Sequence, residues 1–217
     1  MIQFDSEDLP IAHSMKGAAM AKSDNEIHEK YLCFWIAFNN IYTTLTFMDG
    51  VFPTNYKTDA AGNISRKDED GIKLPIVSSA QEFQEMCVAF NFFDDALKYS
   101  LIKHQNVEFF INRKPRWRGQ EIPTDILGQE VNGVLKLNKM IDKDNPVWSP
   151  IDKTKYRDYI SGNPTDRNIL SHQILKLLYV IRCNLMHGGK RYDDANDIDV
   201  VKKAFPLLEL IVNSFLY

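Results

Sequence analysis

Arg182 and His187 lie close together near the carboxyl end of the sequence, in the run Ile181-Arg182-Cys183-Asn184-Leu185-Met186-His187-Gly188-Gly189-Lys190. An imidazole titrates near neutrality, and a guanidinium presents a fixed fork of donors to phosphate oxygens. The pair therefore suits phosphodiester chemistry. His187 could take the proton from a ribose 2′-hydroxyl or give one to the leaving oxygen, while Arg182 stabilises the pentacoordinate phosphate without a metal. Asn184 lies about 60° from His187 around a helix, where it could orient the imidazole or bond a phosphate. The bare spacing is a weak signal, and the helix dipole favours a histidine in a last helical turn, so a capping or surface role for His187 stays open. Cys183 and His187, at i and i+4, form a thiol–imidazole pair as well, but no recognisable third orienting group or oxyanion donor stands nearby in sequence.

A second group of candidate residues lies in the segment from Asn112 to Gln120, where Arg113, Lys114, Arg116 and Arg118 surround Trp117 and Pro115 forbids a regular helix. Basic side chains interleaved with an aromatic ring can grip phosphates and stack a base. A solvated loop whose tryptophan anchors it to the core accounts for the same residues. With a net charge of −3 there is no global attraction to nucleic acid, so any binding must be focused in a cleft, with Lys190 and Arg191 following the Arg182–His187 pair. Three cysteines, at 33, 87 and 183, give neither a disulfide framework nor a zinc spacing, which leads us to expect a reducing, cytoplasmic setting. There is no phosphate-binding glycine loop, metal cluster or nucleotide fingerprint, so no cofactor and no metal are expected. The first ten residues lack a signal pattern, and no apolar run reaches the roughly 18 residues of a membrane span, so no membrane association is expected.

The elements that must position these residues read as helices. At 217 residues and 44% hydrophobic composition the chain suits one domain, 1–217, of the all-α class, a bundle of about five to seven helices. Ser23-Asp24-Asn25-Glu26 reads as a capping box opening a long helix from about 24 to 48. Within it, the segment from Tyr31 to Tyr42 is apolar almost all round, which places the helix centrally. Asn39 and Asn40 either bond a neighbouring helix or lie on the surface. Residues from about 49 to 77 read as a long polar loop, with a short hairpin near Ala61-Gly62-Asn63. A second box, Ser79 to Glu82, opens a helix carrying Phe83, Met86, Cys87, Phe90, Phe93, Leu97 and Leu101 on one face. A softer helix is expected from about 124 to 141, interrupted by Gly128 and Gly133.

Thr165 could cap the helix that ends at His187, with Gly188-Gly189 as its stop. Around it, Leu170, Ile174, Leu177, Leu178, Ile181 and Leu185 share a sector of about 100°, the core side. Leu175, Tyr179 and Met186 make a second apolar stripe that would meet another helix or a second subunit. A final helix from about Asp197 to Leu216 carries Val201, Leu208, Leu210, Ile211 and Phe215, and Pro206 should kink it or reset its start.

The run from Ile181 to Lys190 resembles the signature of HEPN domains, an arginine and a histidine near the end of a bundle helix. It is most similar to the branch in which Asn-Leu-(aromatic or Met)-His-Gly-Gly-Lys follows the arginine. The stretch from Tyr31 to Tyr42 resembles the first core helix of that branch, with its tryptophan, Phe-Asn pair and tyrosine. The resemblance spans about residue 20 to the end, without the 49 to 77 loop. It implies an all-α bundle, a homodimer with facing motifs and, in many members, metal-independent RNA cleavage. Carried over by position, Arg182 and His187 become the catalytic pair and Asn184 a helper. Such domains serve as toxins or defence effectors, some held by an antitoxin or other regulatory protein, and some are non-catalytic modules that bind RNA or a protein partner. Cys183 stands where many catalytic members carry a polar residue. Gly189 stands where toxins controlled by a nucleotidyltransferase carry a tyrosine, so that mode of control is not expected.

Overall fold

The structure, a computed structural model, describes residues 2–48, 66–67, 73–74, 86, 89–113, 116–117, 120–121, 127–131, 134–137, 151–163, 165–186 and 193–216. Over these residues the chain is predominantly helical, with seven α-helices: α1 (Pro10–Met20), α2 (Ile27–Met48), α3 (Asp95–Lys103), α4 (Val107–Asn112), α5 (Lys153–Ile160), α6 (Arg167–Met186) and α7 (Ala195–Phe215). Their buried apolar side chains form one cluster. No described helix is long and apolar enough to cross a membrane.

The Ser23–Glu26 box forms. The Glu26 carboxylate accepts from the Ser23 N–H at 3.0 Å and from its hydroxyl at 2.8 Å, and a single 3-10 turn over Asp24–Glu26 leads into α2. Tyr31, Phe34, Ala37, Phe38, Ile41, Tyr42 and Leu45 are fully buried, so α2 is central as expected. It is not closed all round, because Ile36 is 46% exposed and Leu32, Cys33, Asn39, Asn40 and Thr43 are half-buried along the same stripe. Asn39 donates to the Tyr42 hydroxyl of its own helix.

α1, which hydropathy periodicity does not announce, packs along α2. Its buried face is built from Ala12 and Ala19, two turns apart, and small residues carry little hydropathy signal while letting helices approach closely. Pro10 opens α1 at a position whose N–H would have no helical partner.

The helix expected to run unbroken through Leu101 is divided. A 3-10 turn covers Phe90–Phe92, Phe93 is extended, and Asp94 caps α3 by accepting from the Leu97 N–H at 2.8 Å. An aspartate's short carboxylate serves a helix start better than a helix interior. The expected apolar face survives the break, since Met86, Phe90, Phe93, Leu97 and Leu101 are all buried. Ser79 to Glu82, Phe83 and Cys87 lie outside the described residues.

The helices dominate, as the all-α expectation has it, and three short antiparallel hairpins accompany them: β1 (Arg66–Lys67) with β2 (Lys73–Leu74), β3 (Arg116–Trp117) with β4 (Gln120–Glu121), and β5 (Leu127–Val131) with β6 (Val134–Leu137). The last pair replaces the helix expected over 124–141. Val131 faces Val134, and the intervening Asn132-Gly133 is the dipeptide that two-residue hairpin loops favour, since both positions need φ above zero. The first pair falls within the expected 49–77 loop but beyond Ala61-Gly62-Asn63. Those three residues and the rest of that loop lie outside the described residues.

α5 is also unannounced. Asp152 caps it by accepting from the Lys155 N–H at 3.0 Å, and its own N–H donates to Gln173 of α6 at 2.9 Å. Past its last residue, Ile160, α5 is terminated by Gly162, whose φ of 84° favours glycine.

α6 begins one residue later than expected. Asp166, rather than Thr165, accepts from the Asn168 N–H at 2.8 Å. Leu170, Ile174, Leu177, Leu178, Ile181 and Leu185 are all buried, as the helical sector requires. α7 starts at the Asp194 cap, which accepts from Asn196 and Asp197 N–H at 2.8 and 3.1 Å, and it runs through Pro206 instead of restarting there. A donor from elsewhere serves this turn, because the Asn106 side-chain amide donates to the Lys203 carbonyl at 3.1 Å.

Candidate functional site

Arg182 stands on α6, one turn before its end, where α6 lies against α2. Tyr31 of α2 is fully buried, and its hydroxyl donates to the Leu178 carbonyl of α6 at 2.8 Å. Four residues along, Trp35 meets Tyr179 of α6, with ring centroids 6.2 Å apart, and also the ring of Phe38 edge-on at 5.7 Å. The second apolar stripe of α6 is therefore partly covered within the chain: Leu175 is buried and Tyr179 lies against Trp35, while Met186 remains 58% exposed.

Arg182 is half-buried, and its Nη1 lies 3.9 Å from the Cys183 sulfur. Both side chains act electrostatically on Tyr31. Burial holds the Tyr31 hydroxyl well above its ordinary range, the Cys183 thiol raises it further, and the Arg182 charge opposes this. The phenol therefore stays neutral and remains a donor at ordinary pH.

Asn184 is buried, and its side-chain amide nitrogen has no partner among the described residues. Two residues of helix rotate it about 160° from Arg182, so the two do not share a face. A buried donor left without an acceptor costs about 1–3 kcal/mol and calls for a reason.

His187, Lys190 and Arg191 lie outside the described residues, as do Lys114 and Arg118. Arg113 follows the last residue of α4, and its guanidinium carbon lies 5.6 Å from the ring centroid of Phe109 on that helix, a cation–π contact. The backbones of Arg116 and Trp117 form β3, opposite Glu121 and Gln120. The structure thus gathers Arg182 and Cys183 with Tyr31 at the α2–α6 seam, and places the described part of the 113–118 segment at the end of α4 and on β3. Among the described residues no group of three or more His, Cys, Asp or Glu stands together as a metal site.

The residue that reading for reactive groups passes over is Tyr31. Its signal was available in the sequence, because a tyrosine in the most apolar stretch of a central helix must find an acceptor for its hydroxyl. No protein-family model, no curated protein and no solved structure matches this chain.

Proposed function

We propose that this chain is a HEPN-type endoribonuclease that cleaves RNA without a metal ion, as a homodimer with a composite cleft, and serves as a toxin or defence effector. His187 exchanges the proton with the ribose 2′-hydroxyl or the leaving oxygen, and Arg182 clamps the phosphate. Asn184, buried and turned away from Arg182, orients rather than contacts phosphate. Lys190, Arg191 and the 113 to 118 segment guide RNA. An antitoxin or regulatory protein would be the partner that restrains it.

The observation that carries this reading is the place of Arg182. It is half-buried in the last turns of a long helix braced by α2, and the same helix leads directly into His187-Gly188-Gly189-Lys190. An arginine on a backbone braced in this way suits an oxyanion, because donors fixed in advance lower a barrier. The alternative is a non-catalytic module that binds RNA or a protein through the same helices. It draws on the exposed apolar side chains Met186 and Ile36, which suit an interface.

Incubation of the purified chain with mixed cellular RNA in EDTA, wild type beside His187→Ala, separates the two. Cleavage by the wild type alone is the expected result. Equal cleavage by both, or none by either over a wide range of RNAs, removes the catalytic reading in favour of the module.

A further inference from the structure

Tyr31 takes no part in the chemistry just proposed, yet its hydroxyl makes a buried bond between the two helices that frame Arg182. The acceptor is the Leu178 carbonyl, at 2.8 Å. In an α-helix the carbonyl of residue 178 is also the acceptor for the N–H of residue 182, so the bond from α2 falls on the same backbone unit that fixes Arg182. The ring has little freedom, since Tyr31 is fully buried and stacks on Trp35 with centroids 6.5 Å apart and planes inclined by 16°. Trp35 in turn meets Tyr179, the residue after Leu178. Two successive residues of α6 are therefore held by two side chains on one face of α2, just before the turn that carries Arg182.

We propose that Tyr31 is the positioning residue for Arg182: its hydrogen bond to the Leu178 carbonyl fixes the height and rotation of that turn of α6, so that the guanidinium is set before substrate arrives. The proposal rests on the ribonuclease reading for its catalytic consequence, but the placement of Arg182 is a property of the protein alone. A clamp that is already set adds nothing to ordinary substrate binding and shows its worth in the transition state. Removing the hydroxyl should therefore lower kcat and leave KM nearly unchanged.

Tyr31→Phe keeps the ring and deletes only the donor. The expected result is a fall in kcat of about tenfold with KM within about twofold of the wild type. Ile211→Val, which trims a fully buried side chain on α7, is the comparison for general loosening and should leave both constants unchanged. A second readout needs no activity: in protein labelled with 15N-arginine, the Nε–H signal that disappears in Arg182→Lys should shift or broaden in Tyr31→Phe and stay in place in Ile211→Val. An unchanged signal in Tyr31→Phe overturns the proposal, and so does a wild-type kcat or an equal loss in both variants. A wild type that cleaves no RNA, with the Arg182 signal still moved by Tyr31→Phe, overturns the ribonuclease reading and supports the positioning role.

Discussion

Asn106→Ala tests how α7, the helix that backs α2, tolerates a proline in its interior. Pro206 has no N–H, so the Lys202 carbonyl loses its helical donor, and the ring crowds the preceding turn. Asn106 stands at the start of α4, is 9% exposed, and donates its side-chain amide to the next carbonyl, that of Lys203, at 3.1 Å. Truncation removes one largely buried hydrogen bond and leaves part of a carbonyl unsatisfied, which together cost about 1–2 kcal/mol. In a chain of this size that lowers the melting temperature by about 2–8 °C. The assay is equilibrium urea unfolding of four proteins: wild type, each single variant and the double variant with Pro206→Ala. Pro206→Ala restores an N–H to the ladder, so Asn106→Ala should cost at least about 0.5 kcal/mol less in that background. A loss under about 0.3 kcal/mol in the wild-type background, or the same loss in both, would refute the claim that Asn106 compensates for the proline.

Asp194→Ala removes the acceptor of two N–H groups at the start of α7 and should cost about 1 kcal/mol in denaturant unfolding; no change would show that the cap contributes nothing. Burial pushes both His104 and His172 below the usual histidine range, and the charge of Lys176 adds to the effect on His172. The unfolded chain then takes up these protons first, so stability is complete above about pH 6.5 and declines as pH falls through the depressed values. Unfolding midpoints at pH 7.5 and 5 should show that decline, and His172→Gln should make it smaller; an identical decline in the variant would contradict the assignment. Cys183→Ser should keep RNA cleavage within about twofold of wild type, since the thiol is a weak hydrogen-bonding group, and a tenfold loss would give the thiol a larger role. Met186→Glu places a charge on an exposed apolar residue beside the proposed composite cleft, and light scattering should record a shift from dimer toward monomer; an unchanged mass would take Met186 out of the interface.

What could be read from the sequence follows from how each signal is encoded. The core sector of α6 was legible because six large aliphatic residues repeat at helical spacing, and the start of α2 because Ser23 and Glu26 satisfy each other locally. α1 was hidden because its buried face is alanine, whose contribution lies in what it lets approach rather than in hydropathy. The β5–β6 pair is hidden from helical periodicity, which treats Gly133 only as a helix softener, whereas Asn-Gly between two apolar runs is a hairpin signal and Val131 indeed pairs with Val134. At the candidate site, residue types pointed to Arg182, Asn184 and His187. The partners of Arg182 across the seam depend on which helix packs against α6, and a linear pattern does not carry that information. Tyr31 and Leu178 lie 147 residues apart in the chain.

The single-turnover rate of RNA cleavage in EDTA, measured for the wild type and for Arg182→Ala, tests the phosphate clamp itself. The wild type should cleave, and the variant, still folded by circular dichroism, should be slower by about 10²- to 10³-fold, the usual loss when one fixed donor to a developing oxyanion is removed. Equal rates for the two proteins would show that Arg182 does not stabilise the transition state.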